Sequence, residues 1–167
     1  MGAKTVGNIY AAFVAEAKAF FRLLAYAESA LEEQLPEIAA LFRAVAEAER
    51  IHATRNLQLL GEVVIQDTEV NLRASFEREE KAANLFYPQF IRDAEEEGDR
   101  RAAISFAHAR DAEEGHAALY KRALQHMISA TSPVYHVCQV CGYIAEGNPP
   151  ELCPICNASQ EQFRQVV

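Results

Sequence analysis

No cysteine occurs in this chain before Cys138, and all four cysteines lie within its final segment. A thiol-free body with one compact thiol cluster indicates metal ligation in a reducing compartment and excludes a disulfide scaffold. The N-terminus lacks a basic segment followed by an apolar stretch and a cleavage site, and no apolar run approaches the ~20 residues that span a bilayer. We therefore expect a cytoplasmic protein with no membrane partner.

Positive charge is also scarce in this sequence. There are 16 Lys and Arg residues against 24 Asp and Glu residues, which gives a net charge of -8 at pH 7. No basic cluster offsets this charge, so phosphate backbones and anionic membranes are repelled. This composition excludes nucleic acid as a partner and is typical of a globular domain.

Four long helices are predicted between Thr5 and about Met127, because apolar residues recur there every three to four positions. Thr5 is a candidate N-cap for the first helix, and Pro36 suits the first turn of the second. Pro88 should kink the third helix, because proline removes one backbone donor.

Glycine-containing breaks separate the predicted helices. One break runs from Gly61 to Thr68, and the third helix should begin near Glu69. Gly98 and Asp99 form the next break, in which the glycine ends one helix and the aspartate caps the following one. The two helical pairs are also similar in sequence, which predicts a duplicated helical hairpin.

The amino-acid composition changes after Ser129, where a short linker leads into a Cys-, Pro- and Gly-rich tail. A module of this size is too small to be stable without a disulfide or a bound metal. The sequence thus predicts a mainly α-helical protein with a four-helix bundle over residues 1–130 and a small metal-binding domain over residues 134–167.

Ionisable side chains interrupt the apolar stripe of every predicted helix. Residues three or four apart share a helix face, so these groups should point together into one dry interior. Burying four uncompensated carboxylates costs several kcal/mol each, which exceeds the ~5–15 kcal/mol of net stability of a domain. Two divalent cations neutralise four carboxylates, and two imidazoles complete the ligand set. The six residues are Glu16, Glu49, His52, Glu79, Glu113 and His116.

One glutamate from each of two helices, together with a Glu-x-x-His motif from each of the other two, is the donor set of carboxylate-bridged di-iron bundles. Oxygen and imidazole ligands suit iron or manganese better than a thiolate-seeking metal. The third helix leaves an alternative open, because Glu77 and Glu80 compete with Glu79 on the same turn. Glu80 also fits the offset that relates the two helical pairs.

Two Cys-x-x-Cys motifs in the tail form a second predicted metal site. Four thiolates on two such hooks make a tetrahedral site for iron or zinc. Zinc would only fold the tail, whereas iron would also carry one electron. The ligands are Cys138, Cys141, Cys153 and Cys156.

The motifs resemble those of the rubrerythrin family over nearly the whole chain. The tail is similar to a rubredoxin-like domain through its Cys-Gly-Tyr and Cys-Pro-x-Cys signatures, at residues 141–143 and 153–156. In the bundle, residues 46–53, 71–75, 87–90 and 95–98 match blocks of the family. The order of helical bundle followed by rubredoxin-like tail is itself typical of these proteins.

This resemblance implies a ferritin-like bundle with two irons, one further iron in the tail, and zinc as a possible occupant of either site. It assigns the di-iron ligands to the six residues above, favours Glu79 over Glu80, and makes Tyr87 a hydrogen-bond donor beside them. The implied activity is reduction of hydrogen peroxide to water by a cytoplasmic homodimer, with electrons from a redox partner.

Three positions depart from the family pattern, and they keep other functions open. Ala82 stands where the family commonly has a further glutamate, Leu23 replaces a tyrosine, and Arg78 replaces a small residue. One alternative is a ferritin-like ferroxidase or oxidase, which the loss of the further carboxylate favours. Another is a non-enzymatic electron carrier or metal-binding protein.

Overall fold

The computed structural model describes residues 1–125 and 134–166 of the chain. These residues are mainly α-helical and end in a small three-stranded sheet, which confirms the predicted fold class. The chain divides into two compact units, Met1–Gln66 and Asp67–Val167. Met127, most of the predicted linker and the predicted boundary at residue 130 lie outside the described residues.

The first unit is a pair of antiparallel helices, α1 (Ala3–Glu32) and α2 (Pro36–Leu60). Pro36 occupies the first turn of α2, as predicted. The predicted N-cap at Thr5 is wrong, because α1 begins two residues earlier and Gly2 is its N-cap. The Val6 N–H already donates to the Gly2 carbonyl at 3.1 Å, so Thr5 lies inside the first turn.

A line of small residues forms the contact between α1 and α2. Ala39, Ala46 and Ala53 recur every seventh residue on α2 and are buried. Small side chains on such a line allow two helices to approach closely. Larger apolar residues of α2 are less buried, since Leu41 and Leu59 are each 58% exposed.

The second unit contains α3 (Thr68–Lys81), α4 (Tyr87–Glu96) and α5 (Arg100–Gln125). The break before α3 lies where the sequence predicted it, and Asp67 caps the helix by accepting from the Val70 N–H at 3.0 Å. Gly98 ends α4 with φ +76°. Such a positive φ suits glycine, because it has no Cβ.

A π-helical segment, Ala82–Phe86, joins α3 to α4 into one long third helix. The Tyr87 N–H donates to the Ala82 carbonyl, five residues back. Pro88 follows this turn and lacks the N–H that an α-helix would bond to the carbonyl of Asn84. The predicted distortion at Pro88 therefore takes the form of a widened turn just before it, a feature common at functional sites.

The tail forms three short antiparallel strands, β1 (Tyr135–Cys138), β2 (Ile144–Glu146) and β3 (Phe163–Val166). Their order in the sheet is β2-β1-β3. We call residues 135–166 the cysteine module. β1 ends at the first cysteine of one hook, and the turn from β1 to β2 contains the second cysteine of that hook.

The N-cap of α5 can be tested by substitution. The Asp99 carboxylate accepts from the Ala102 N–H at 3.0 Å. We expect Asp99→Ala to lower the free energy of unfolding by about 1 kcal/mol, because the cap bond is lost. Asp99→Asn should retain most of the stability, and urea unfolding followed by circular dichroism measures both. Equal stability of Asp99→Ala and the unchanged protein would contradict the cap.

Candidate metal centres

One group of potential ligands lies between α1 and α2. Glu16 extends from α1, and Glu49 and His52 extend from successive turns of α2, so that one ligand atom from each lies within 4.8 Å of the others. His52 Nδ1 is 3.4 Å from a Glu49 carboxylate oxygen and 3.8 Å from one of Glu16. Two oxygens and one imidazole nitrogen converge, which is half of the predicted donor set.

The two carboxylates of this group face each other. A hydrogen bond between them raises the pKa of Glu16 and lowers the pKa of Glu49, so that without a cation the pair holds a proton more tightly than a free carboxylate does. The side chains of Glu16 and Glu49 are 29% and 22% exposed, and that of His52 is 56% exposed. The prediction of a dry interior is therefore wrong here, because water reaches all three.

A second group of the same composition lies between α3 and α5. Glu79 extends from α3, and Glu113 and His116 extend from α5, again with one ligand atom each within 4.8 Å. His116 Nδ1 is 3.0 Å from a Glu113 carboxylate oxygen. The structure brings Glu79 into this group and leaves Glu80 exposed outside it.

Burial and the nearby Glu113 carboxylate raise the pKa of Glu79 to about 7. The same surroundings reach Tyr87, whose pKa is raised by burial and by the charges of Glu113 and Glu79. A tyrosine hydroxyl with a raised pKa stays protonated and can donate a hydrogen bond. Tyr87 is therefore close enough to both carboxylates for their charges to raise its pKa.

His116 has a further partner that sequence reasoning missed. Its Nε2 lies 2.9 Å from the backbone oxygen of Gly142 in the cysteine module. A carbonyl only accepts, so Nε2 donates this bond, which leaves Nδ1 as the nitrogen available to bind a metal. In the sequence, Gly142 stood out only as part of the Cys-Gly-Tyr signature, which gave no sign of this contact.

The four cysteines form a third group. The Sγ atoms of Cys138 and Cys156 are 3.7 Å apart, and those of Cys141 and Cys153 are 3.5 Å apart. A metal bonded to four sulfurs at about 2.3 Å places them about 3.8 Å apart in a tetrahedron. The observed separations are close to that value and far longer than a disulfide bond.

The two cysteine hooks have the same backbone structure. In each hook the residue after the second cysteine has positive φ, +82° at Gly142 and +60° at Asn157. The N–H of each donates back to the carbonyl of the first cysteine, at 3.0 Å to Cys138 and 2.9 Å to Cys153. This turn directs both thiols of a hook to one side, and Asn157 is the second residue that sequence reasoning did not single out.

Thiolate formation is not equally favoured across the hooks. Burial opposes ionisation of Cys138, but hydrogen bonds from the N–H groups of Cys141 and Val140 and from neighbouring thiols together lower the pKa of this thiol. Burial raises the pKa values of Cys141 and Cys156. A bound cation is what permits such thiols to ionise together. The three donor sets therefore fit two irons held by carboxylates and imidazoles and one iron held by four thiolates.

Comparison with known proteins identifies the family of this chain. The rubrerythrin family model matches residues 8–124, and the rubrerythrin rubredoxin-like domain matches residues 136–164. Nigerythrin of Nitratidesulfovibrio vulgaris is 33% identical, covering 95% of this chain and 85% of that protein. Rubrerythrin of Porphyromonas gingivalis is 32% identical, covering 99% of this chain and 91% of that protein.

Solved structures of nigerythrin are also similar to this chain. The fully reduced, all-ferrous state is 32% identical with a TM-score of 0.59, and the match covers 99% of this chain and 88% of the nigerythrin chain. The mixed-valence state gives a TM-score of 0.58 over the same shares. Two matching family models, full-length relatives and three fitting donor sets lead to one conclusion: the chain belongs to the rubrerythrin family of iron-containing oxidoreductases.

Proposed function

We propose that this chain is a non-haem di-iron peroxidase that reduces hydrogen peroxide to water. The balanced reaction takes H₂O₂, two protons and two electrons to two molecules of water. The observation that carries the proposal is the bond between His116, a ligand of one Glu-Glu-His group, and Gly142, the neighbour of a cysteine ligand. It links the predicted reaction site to the predicted electron carrier.

Each Glu-Glu-His group is proposed to hold one iron, and the resemblance to the family implies that these are the two irons of a di-iron centre. When bound, ferrous ions supply one electron each and act as Lewis acids on the peroxide oxygens. Four carboxylates balance the charge of two divalent cations, and the imidazoles add no charge. The ligands are Glu16, Glu49, His52, Glu79, Glu113 and His116.

Tyr87 is proposed to take part as a hydrogen-bond donor. Its raised pKa keeps the hydroxyl protonated at neutral pH. A donor near carboxylate ligands orients them and can also stabilise negative charge that develops on a peroxide oxygen. Tyr87 is therefore the one residue outside the ligand set that we assign to the catalytic machinery.

The cysteine module is proposed to deliver the electrons one at a time. Cys138, Cys141, Cys153 and Cys156 would hold an iron, which would supply one-electron chemistry between a redox partner and the Glu-Glu-His groups. None of the helices in the described residues is long and apolar enough to cross a bilayer. The resemblance to the family supports a cytoplasmic location, a homodimer and a role in oxidative stress, and all three are part of this proposal.

A ferritin-like oxidase is the second candidate function. Ala82, at the start of the π-helical segment, provides no carboxylate where the family commonly has one. A centre with one carboxylate fewer is closer to a plain ferroxidase site, which oxidises Fe(II) with oxygen or peroxide. The attached cysteine module favours the peroxidase, because iron oxidation for storage has no need of an electron carrier.

The choice of oxidant distinguishes these functions. We expect the iron-loaded protein to be red, from iron bound by four sulfurs, and to lose that colour on reduction. Peroxide added to the reduced protein should restore the colour much faster than oxygen does. Stopped-flow absorbance measures both rates. Faster oxidation by oxygen would favour the oxidase, and no oxidation by either would leave only a metal-binding or carrier role.

Adjacent glutamates provide a matched pair of variants for the ligand assignment. Glu79→Ala should lower iron affinity by roughly 10- to 100-fold and abolish peroxide turnover, because it removes a ligand. Glu80→Ala removes the same group from an exposed position one residue away and should leave both unchanged. Iron content by elemental analysis and peroxide consumption measure the effects. Equal iron content and turnover in the two variants would refute the assignment.

Metal binding at the second group should release a proton near neutral pH. The pKa of Glu79 is about 7 without metal. Below that pH the cation must displace the proton, so the apparent affinity for Fe(II) falls as pH decreases, and above it this dependence disappears. Anaerobic calorimetry in buffers of different ionisation enthalpy counts the protons. Glu79→Gln should abolish the release and Glu80→Gln should not, and a release that persists in Glu79→Gln would point to another group.

A further inference from the structure

In the described residues, two polar contacts join the cysteine module to α5. His116 Nε2 donates to the Gly142 carbonyl at 2.9 Å. Arg122 Nη2 donates to a carboxylate oxygen of Glu146 at 2.6 Å. The first contact involves the proposed metal ligand His116. The second pairs two charged side chains that have no part in the proposed chemistry.

The two contacts lie at different points along the helix and along the module. His116 and Arg122 are six residues apart on α5, about 9 Å along the helix axis. On the module, Gly142 follows a cysteine ligand and Glu146 ends β2. A body attached at one point can pivot about it, whereas a second point of attachment removes that freedom. The ion pair is thus placed to fix the direction in which the Gly142 carbonyl points.

Packing between the module and the helices is interrupted by a cavity. A cavity of about 410 Å³ lies between them. Residues that line a void lose contact with partner atoms on that side, so dispersion forces constrain them weakly. The polar contacts on α5 therefore bear more of the alignment than they would beside a close-packed interface. The cavity is lined by Leu72, His116, Leu119, Tyr120, Ala123, Tyr135 and Ile144.

We propose that Arg122 and Glu146 are positioning residues that hold the cysteine module on α5 and keep the Gly142 carbonyl bonded to His116. The significance of this alignment for electron delivery rests on the proposed function. The alignment itself concerns only side chains and backbone of this chain.

The exposure of the pair determines how it responds to salt. The Arg122 side chain is 49% exposed and that of Glu146 is 42% exposed. An ion pair in contact with water is weak and is screened by salt. Raising the ionic strength should therefore loosen the module, and reversing one charge should loosen it further, because two negative groups then face each other.

Nuclear magnetic resonance of the zinc-loaded full-length chain tests the alignment without any turnover. Zinc is diamagnetic, and the Nε2 proton of His116 exchanges slowly with water only while it is bonded to the carbonyl. We expect a resolved signal in the unchanged protein that weakens with added salt. Arg122→Glu should broaden or remove the signal, Arg122→Lys should keep it, and the double reversal Arg122→Glu with Glu146→Arg should restore it.

The iron-loaded protein provides a second measurement on the same variants. Peroxide-driven reoxidation of the reduced module should slow on the order of fivefold in Arg122→Glu and recover in the double reversal. Arg73→Glu is the matched control, because Arg73 pairs with Glu69 inside α3 at 3.0 Å and the substitution changes the net charge equally. It should leave both the signal and the rate unchanged.

Two results would overturn the proposal. One is a His116 signal in Arg122→Glu as strong as in the unchanged protein, and the other is a loss that the double reversal does not restore. Failure of the proposed function is distinguishable from either. In that case peroxide does not reoxidise the module of the unchanged protein, while the zinc-loaded protein still reports whether the ion pair holds the carbonyl in place.

Discussion

Carboxylates that face each other at a few ångströms repel, and each helix pair of this protein places two of them together beside an imidazole. Without a cation the charge is relieved by protons. Burial and the Glu113 carboxylate raise the pKa of Glu79 to about 7, and the bond to Glu49 raises the pKa of Glu16. Cations relieve it more fully. The need to neutralise these carboxylates connects the interrupted apolar stripes, the pairing of the helices and the iron chemistry of the family.

The two Glu-Glu-His groups have the same composition and different surroundings. His52 is 56% exposed, whereas His116 is 21% exposed and bonded through Nε2 to the cysteine module. The second group also includes the one glutamate with a pKa near 7 and has Tyr87 nearby. A duplicated sequence motif has thus acquired two distinct environments. In the second group, metal ligands, a glutamate with a raised pKa and the contact to the proposed electron carrier lie together.

The cysteine module meets a similar constraint with thiols. Burial raises the pKa of Cys141 and Cys156, and four sulfurs lie within a few ångströms of one another. Backbone N–H groups that turn toward Cys138 and the positive φ angles at Gly142 and Asn157 hold the hooks in the shape a tetrahedral metal requires. Gly142 serves two purposes, because its φ shapes a hook and its carbonyl reaches His116.

The sequence by itself determined the features that depend on local periodicity and ligand spacing. These are the helical body, the break at Gly98 and Asp99, the two cysteine hooks and the two Glu-x-x-His faces. Local rules were sufficient there because residues three or four apart on a helix, and two cysteines on one hook, meet whatever the rest of the chain does.

Only the tertiary structure decided which long-range partners these residues meet. The packing of α3 on α5 brings Glu79, and not Glu80, into the second group of ligands. The effect of Pro88 is a π-helical turn just before it. The extent of burial also required the structure, because the helix contact in the first unit uses alanines and leaves Leu41 and Leu59 exposed. The bond between His116 and Gly142 joins positions far apart in the sequence, and no local pattern encodes a contact that depends on how a module packs against a helix.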